Sequence, residues 1–354
     1  MKSTATVPKA TQNFFSISNS EFNTICKNLG TSEIQSNKIF RAVYQQGCLT
    51  PQEWPKLFDI SEKVINKLAK HFNFSLPTVA RAHQAKDKTS KLKLQLADQL
   101  ETECVLIPMR AGEMTLCLSS QVGCAVACKF CFTGKMGLLR NLTCQEIIGQ
   151  WVVAAQWLRS NLPHHKIVNL VYMGQGEPLH NFEEVKKATA IFLEQRGPHF
   201  GKRRITISTS GLVHQFDRLK EIPEIFYAIS LHAVRNDLRS DIMPINKAHN
   251  LEKLMEGLAK IPRKAHQRIT FEYILLAGIN DSEQDIEGLC RLLPSKASKI
   301  NLIPFNPYPG SEFKRPSDET IKWFQQALRM RGMHATIRAT KGDDILAACG
   351  QLNT

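Results

Sequence analysis

The sequence predicts an α/β fold: a partial parallel barrel of about six strand-helix units, preceded by a small helical domain. Two observations carry this. From residue 166 onward apolar strand-like runs recur with helical stretches between them, KIVNLVYMG, RRITISTSG, IFYAISLHA, RITFEYILLAGIN and KINLIPFNP, and such alternation specifies a parallel sheet with covering helices. Before residue 73 the apolar spacing is helical instead. A chain of 354 residues has room for one domain of about 250 residues and a smaller one. A flat doubly wound sheet is the alternative arrangement of the same units.

Taken in order, SNSEFNTICKNLG places Phe22, Ile25 and Leu29 on one helical face and stops at Gly30, and SEKVINKLAKHF repeats the pattern with Val64, Ile65, Leu68 and Phe72. The Pro-punctuated TPQEWPKLF lies between them, so residues 1–80 read as a helical accessory domain. From residue 90 the period changes: SKLKLQL alternates, TECVLIPM is an apolar strand, and MRAGE turns the chain into MTLCLSS. Residues 81–110 are thus an antiparallel β linker, and residues 111–354 the barrel. Thr143 and Glu146 form a capping box ahead of IIGQWVVAAQWL, and SDETIKWFQQALRMRG runs from Ser317, after Pro316, to Gly332. The barrel strands end in GQGEP, STSG, SLHA and FNP. Singly each is an ordinary turn; together they outline a rim, because active sites of parallel barrels lie at the C-terminal ends of strands.

Lys plus Arg number 46 against 32 Asp plus Glu, a net charge of +14 that points to a polyanionic partner such as nucleic acid. Residues 1–90 hold 12 basic and 6 acidic side chains, which makes the N-terminal part the expected docking surface for that partner. No apolar run approaches the roughly 20 residues of a membrane span, and MKSTATVPKATQ lacks a signal-type apolar stretch. A cytoplasmic protein is expected, in which cysteines serve metal or catalytic roles rather than a disulfide framework. Cys26, Cys48, Cys104, Cys144 and Cys290 sit singly among apolar residues and read as small buried hydrophobes.

The other five do not. CLSSQVGCAVACKFC, residues 117 to 131, spaces Cys124, Cys128 and Cys131 as C-x3-C-x2-C on a loop just past a strand end. Structural zinc and most iron-sulfur clusters take four protein ligands. A cluster held by three leaves one iron open to an outside ligand; a zinc site or a redox thiol loop is the alternative. This motif ahead of an α/β barrel resembles the radical S-adenosylmethionine (SAM) superfamily, and GQGEP resembles its Gly-Glu-Pro motif. The resemblance implies a 4Fe-4S cluster on Cys124, Cys128 and Cys131 that binds SAM through its open iron and releases a 5′-deoxyadenosyl radical.

Adding Cys117, STSG, SLHA, INLIPFNP and GDDILAACGQL with Cys349, residues 90 to 352 closely resemble the RlmN family of RNA adenine-C-methyltransferases, relatives of Cfr. That resemblance implies methylation at carbon 2 of an adenosine in 23S rRNA and in tRNA, with two SAM per turnover. Cys349 takes a methyl group from the first SAM; the radical from the second removes hydrogen from it, and the methylene radical adds to the base. Glu103 accepts the ring proton, and Cys117 attacks Cys349 to form a disulfide and free the product. Implied SAM contacts are Gly176, Glu177, Ser208, Ser230, Leu231, His232 and Asn306. Also implied are an electron donor such as flavodoxin or ferredoxin and a monomer. Gln175 stands where the family usually has Met, so an altered SAM pocket is expected there. Carbon 8, as in Cfr, is the close competitor, and a non-catalytic iron-sulfur RNA-binding or redox protein the distant one; the latter needs neither Cys349 nor the Gly-Glu-Pro loop.

Overall fold

A computed structural model describes residues 12–49, 51, 54, 60–261 and 267–352. Ten strands form one sheet in which each strand lies beside its predecessor in sequence. Strands β1 (Thr78–Gln84), β2 (Ser90–Gln95) and β3 (Glu101–Pro108) are antiparallel. β4 (Glu113–Cys117) pairs antiparallel with β3 and parallel with β5 (Lys166–Tyr172). β6 (Ile205–Thr209), β7 (Phe226–Ser230), β8 (Ile269–Leu275), β9 (Ser298–Pro304) and β10 (Ala335–Ile337) then add in parallel. Side chains from β3 through β9 line a single cavity, so the sheet curls around a lumen. That geometry decides between the two arrangements: it is a barrel left open between β1 and β10, not a flat sheet.

Strands β4 to β9 are the six expected units. β10 was missed because Ala-Thr-Ile is too short to show a period. β1 was missed for another reason: all seven of its residues are exposed, so an edge strand leaves no buried-exposed alternation to read.

The N-terminal helices α1 (Asn19–Asn28), α2 (Glu33–Arg41) and α3 (Glu62–His71) begin at Ser18, Ser32 and Ser61. Ser18 and Ser32 close full capping boxes with Glu21 and Gln35, each satisfying two helix-end N–H groups that would otherwise lack partners. The turn before these helices (Phe14–Ser16) and Tyr44, just after α2, pack on α4 (Cys144–Asn161), which follows the cysteine loop and is capped by Thr143 and Glu146 as expected. Ring contacts run from Phe14 to Tyr44 at 5.5 Å, Tyr44 to Trp151 at 6.3 Å and Trp151 to Phe200 at 6.0 Å. Glu194, at the end of α5 (Phe182–Leu193), accepts from the Asn19 N–H at 2.8 Å. The helices therefore extend the barrel's apolar core. α3 turns Lys63, Lys67 and Lys70 outward. No helix among the described residues is long and apolar enough to cross a membrane.

Candidate active site

The chain leaves β4 at Cys117, and Gln121–Gly123 then pairs with Leu138–Asn141, closing residues 124 to 137 into a loop. Two glycines make the closure possible. Gly123 has φ +78, and a Cβ there would lie 1.9 Å from the Gly137 carbonyl oxygen; a Cβ on Gly134 would lie 2.8 Å from that of Cys128. The Cys124 N–H donates to Gly137 at 2.9 Å and the Gly134 N–H to Cys131 at 3.1 Å. Cys124, Cys128 and Cys131 line one wall of a cavity of about 150 Å³. Among the described residues no three His, Cys, Asp or Glu side chains converge on one ion position; the thiols line a space rather than meet at a point. Burial, then Cys131 and Cys124, push the Cys128 thiol well above its usual range, with Arg239 opposing. Three crowded sulfur donors of this kind fit a cluster whose irons offset the thiolate charge.

The opposite wall is built from strand ends: Gly176 and Glu177 after β5, Ser208 on β6, Ser230 on β7 and His232 just beyond it. Glu177 is buried, with one carboxylate oxygen accepting from the Ser210 N–H and Oγ at 2.7 Å each and the other from the Leu179 N–H at 3.0 Å. His232 holds a left-handed backbone, φ +60, a conformation that costs on the order of 1 kcal/mol or more in a non-glycine residue. It is fixed there by Asn280, which donates to its carbonyl at 2.7 Å, and by the Ile274 N–H, which donates to its Nδ1 at 3.0 Å. Burial and Arg239 lower its pKa to about 3; the ring is neutral, and the Nδ1 acceptor role assigns the proton to Nε2.

Two of the expected SAM contacts stand elsewhere. Leu231 is fully buried and lines neither cavity; its carbonyl accepts from Arg239 Nε at 2.9 Å. Asn306 faces the larger cavity described below, where its amide donates to the Cys349 carbonyl at 3.3 Å and its Oδ1 accepts from Thr340 at 3.1 Å. Gln175 also departs from expectation. Its Oε1 accepts from Thr102 Oγ1 at 3.0 Å, turning the side chain toward β3, and it is absent from the cavity wall. The glycine beside it matters more. Gly176 has φ +95, and a Cβ there would lie 2.5 Å from Gln121 Cβ. Gly176→Ala should raise the Kd for SAM by about tenfold or more, given roughly 1–2 kcal/mol of left-handed strain alone; isothermal titration of the reconstituted protein reads it, and unchanged affinity would show that the loop has slack.

Cys117 opens into a second cavity, of about 610 Å³. Cys349 lines both cavities. Its segment is pinned against the cysteine loop, where the Phe132 N–H donates to Gly350 at 2.8 Å and Thr133 Oγ1 to Leu352 at 3.2 Å, and against β2, where Lys91 Nζ donates to Leu346 at 3.1 Å. Burial drives the Cys117 thiol up to about 12, helped by Cys349 and opposed by Arg338. Glu103 is buried on β3 beside Lys91, 3.9 Å away. It shares a strand face with Val105 and Ile107, which line the larger cavity, but is not itself part of that lining.

A model of the radical SAM superfamily matches residues 118–293. A dual-specificity RNA methyltransferase RlmN from Halorhodospira halophila is 42% identical over 325 residues, 92% of this chain and 88% of its own length. The chain belongs to the RlmN family. Its counterpart from Campylobacter jejuni is 43% identical over 89% of this chain and 91% of that protein. A crystal structure of a radical SAM methyltransferase from Sphaerobacter thermophilus superposes with a TM-score of 0.87, at 38% identity over 96% of this chain and 98% of that one. Radical SAM enzymes use a 4Fe-4S cluster and SAM, and the three-thiol loop is the donor set here that fits the cluster.

Two side chains of this RlmN-family site escaped the sequence reading. Glu272 on β8 lines both cavities; one of its oxygens accepts from Ser208 Oγ at 3.2 Å and the other lies 3.6 Å from Arg338. Arg338 follows β10 and faces Cys349, Glu272 and Cys117, all three of which raise its pKa. A signal existed for Glu272: in RITFEYILL it alternates with Phe271 and Tyr273, an acid on one face of an otherwise apolar strand. Arg338 carried none, because it lies beyond a strand of three residues. Burial raises the Cys349 thiol and Arg338 lowers it. Removing that cation in Arg338→Met should move the thiol further up, so the pH at which Cys349 is half-alkylated by iodoacetamide should rise; an unmoved profile would mean the guanidinium does not sense the thiol.

Proposed function

We propose that this RlmN-family protein methylates carbon 2 of an adenosine in 23S rRNA and in tRNA, passing the methyl group through Cys349 at a cost of two SAM per turnover. The observation that supports it is the position of Cys349, on the wall shared by the cysteine-loop cavity and the larger cavity that holds Cys117. A thiol that must first receive a methyl group beside SAM and then present it to a base needs access to both spaces. Carbon 2 of adenine is electron-poor and cannot displace a methyl group from a sulfonium, so the chemistry requires a radical route. The cluster and SAM, when bound, supply an organic radical able to abstract hydrogen.

The remaining work belongs to the chain. Gly176, Glu177, Ser208, Ser230 and His232 form the SAM-side wall, and Leu231 and Asn306 support it from behind and from the C-terminal segment. Cys349 accepts the methyl group as a nucleophile, its thiolate favoured by Arg338. Glu103 takes the ring proton, with Lys91 beside it to offset the carboxylate. Cys117 then attacks the Cys349 sulfur: the disulfide forms as the bond from that sulfur to the methylene carbon breaks, the electron pair stays with the carbon, and a proton completes the methyl group of the released base. Lys63, Lys67 and Lys70 on α3 offer a cationic stripe for RNA from the N-terminal helices, whose accessory role over residues 1–80 is part of this reading. So are a cytoplasmic monomer and a flavodoxin or ferredoxin as electron donor. Mass spectrometry of nucleosides from unmodified RNA treated with reconstituted enzyme tests it: 2-methyladenosine is the expected product, whereas 8-methyladenosine or no methylated nucleoside would overturn the carbon-2 assignment.

A further inference from the structure

The two cavities share part of the lumen and differ in how far along the barrel they extend. Residues around the smaller one lie at the C-terminal ends of strands, among them Tyr172, Ser210, His232 and Ile274. The larger one runs from Pro304 and Asn306 on that side, past Asn169 midway along β5, to the other end, where Arg203 and Arg204 immediately before β6 and Lys299 at the start of β9 line it. Cys349 lies where the two meet. We propose that RNA docks at the N-terminal end of the parallel strands, opposite the cysteine loop, with Arg203, Arg204 and Lys299 holding its phosphates while the target base passes along the lumen to Cys349.

Charge supports this. Arg203 and Arg204 are exposed and Lys299 is half-buried, and none of the three forms an ion pair among the described residues. Several other surface arginines are neutralised by carboxylates, Arg140 by Glu146 at 2.8 Å, Arg315 by Asp318 at 2.6 Å, and Arg218 and Arg331 by Glu183 and Glu283; Arg81, Arg110 and Arg196 are exposed without an ion pair among the described residues, and what sets Arg203 and Arg204 apart from them is their place on the cavity lining. Arg204 is steered toward the mouth by donating to Asn169 Oδ1 at 3.2 Å. Uncompensated cations round a mouth are what phosphate binding with counterion release requires. Shape agrees. A base can meet a sulfur atom inside the lumen only by leaving its stack; the walls past the cations combine apolar Val105, Ile107 and Val171 with polar Thr206, Thr270 and Asn301, and Met109, 52% exposed at the rim, offers an apolar surface to the base or its vacated neighbour. The volume of about 610 Å³ is within the roughly 300–1,000 Å³ typical of pockets that enclose a ligand larger than a base.

This inference rests on the RNA-methylation reading above, and one experiment separates their failures. Binding of an unmodified 23S rRNA transcript is measured over a salt series for the reconstituted wild type, Arg203→Ala/Arg204→Ala, Lys299→Ala and, at the other end of the barrel, Lys247→Ala. The double variant should bind about tenfold more weakly, and each lost phosphate contact should flatten the plot of log affinity against log salt by up to about one unit. Lys299→Ala should weaken binding in the same direction, Lys247→Ala should match the wild type, and deoxyadenosine release from SAM without RNA should be the same in all four. If the wild type methylates the transcript but the Arg and Lys299 variants keep its affinity and salt slope, or if Lys247→Ala is the one that loses them, the entry route is wrong and the function stands. If the wild type gives no methylated nucleoside, both fall.

Discussion

Cys117→Ala should come out of cells covalently attached to RNA. Cys117 acts only after Cys349 has become bonded to the base, so its loss leaves methylation of Cys349 and addition to adenine intact and blocks release. On a denaturing gel most of the variant should run as a slow band that collapses on nuclease treatment, while Cys349→Ala, which lacks the atom that carries the methylene, should show none. The competing expectation is mild. If Cys117 were only a buried residue at the end of β4, trimming it would cost about 1 kcal/mol and leave product release unchanged. A soluble Cys117→Ala protein free of RNA, beside an active wild type, would remove the resolving role from Cys117.

Loss of any one loop thiol is expected to be as complete. Anaerobically reconstituted wild type should hold about four irons per chain, and Cys124→Ala, Cys128→Ala and Cys131→Ala should each fall to near zero, with the visible charge-transfer absorption lost. A three-thiol site has no spare ligand. Cys117→Ala and Cys349→Ala should keep their iron, since the first faces the larger cavity and the second lies on the shared wall. Equal loss of iron in Cys349→Ala would make that residue a ligand and end its role as methyl carrier.

Local signals carried most of the fold and site into the sequence. The capping box at Thr143, the Gly30 and Gly332 stops and the strand runs β4 to β9 are short-range features with their own physical signatures, and the cysteine spacing is local as well. What stayed hidden depends on the far side of the barrel. Nothing near Cys349 in sequence says that its segment is tied to Phe132 and Thr133, some 220 residues earlier, or that Arg338 would face two thiols. Asn306 and Leu231 show the same limit: the resemblance implied SAM contacts for both, and nothing in the sequence says that Asn306 bonds the Cys349 carbonyl or that Leu231 is fully buried. Gln175 was legible as a departure but not in its consequence, because its partner, Thr102, lies on an antiparallel strand outside the six-unit repeat.

The central claim is that the methyl group travels through Cys349 and loses a hydrogen on the way. Turnover with SAM carrying a fully deuterated methyl group, followed by mass spectrometry of the methyladenosine, tests it most directly. Transfer as a methylene through Cys349 removes one deuterium and replaces it with a solvent proton, so the product should retain two of the three. Retention of all three would mean direct transfer from SAM to the base, and would contradict the account.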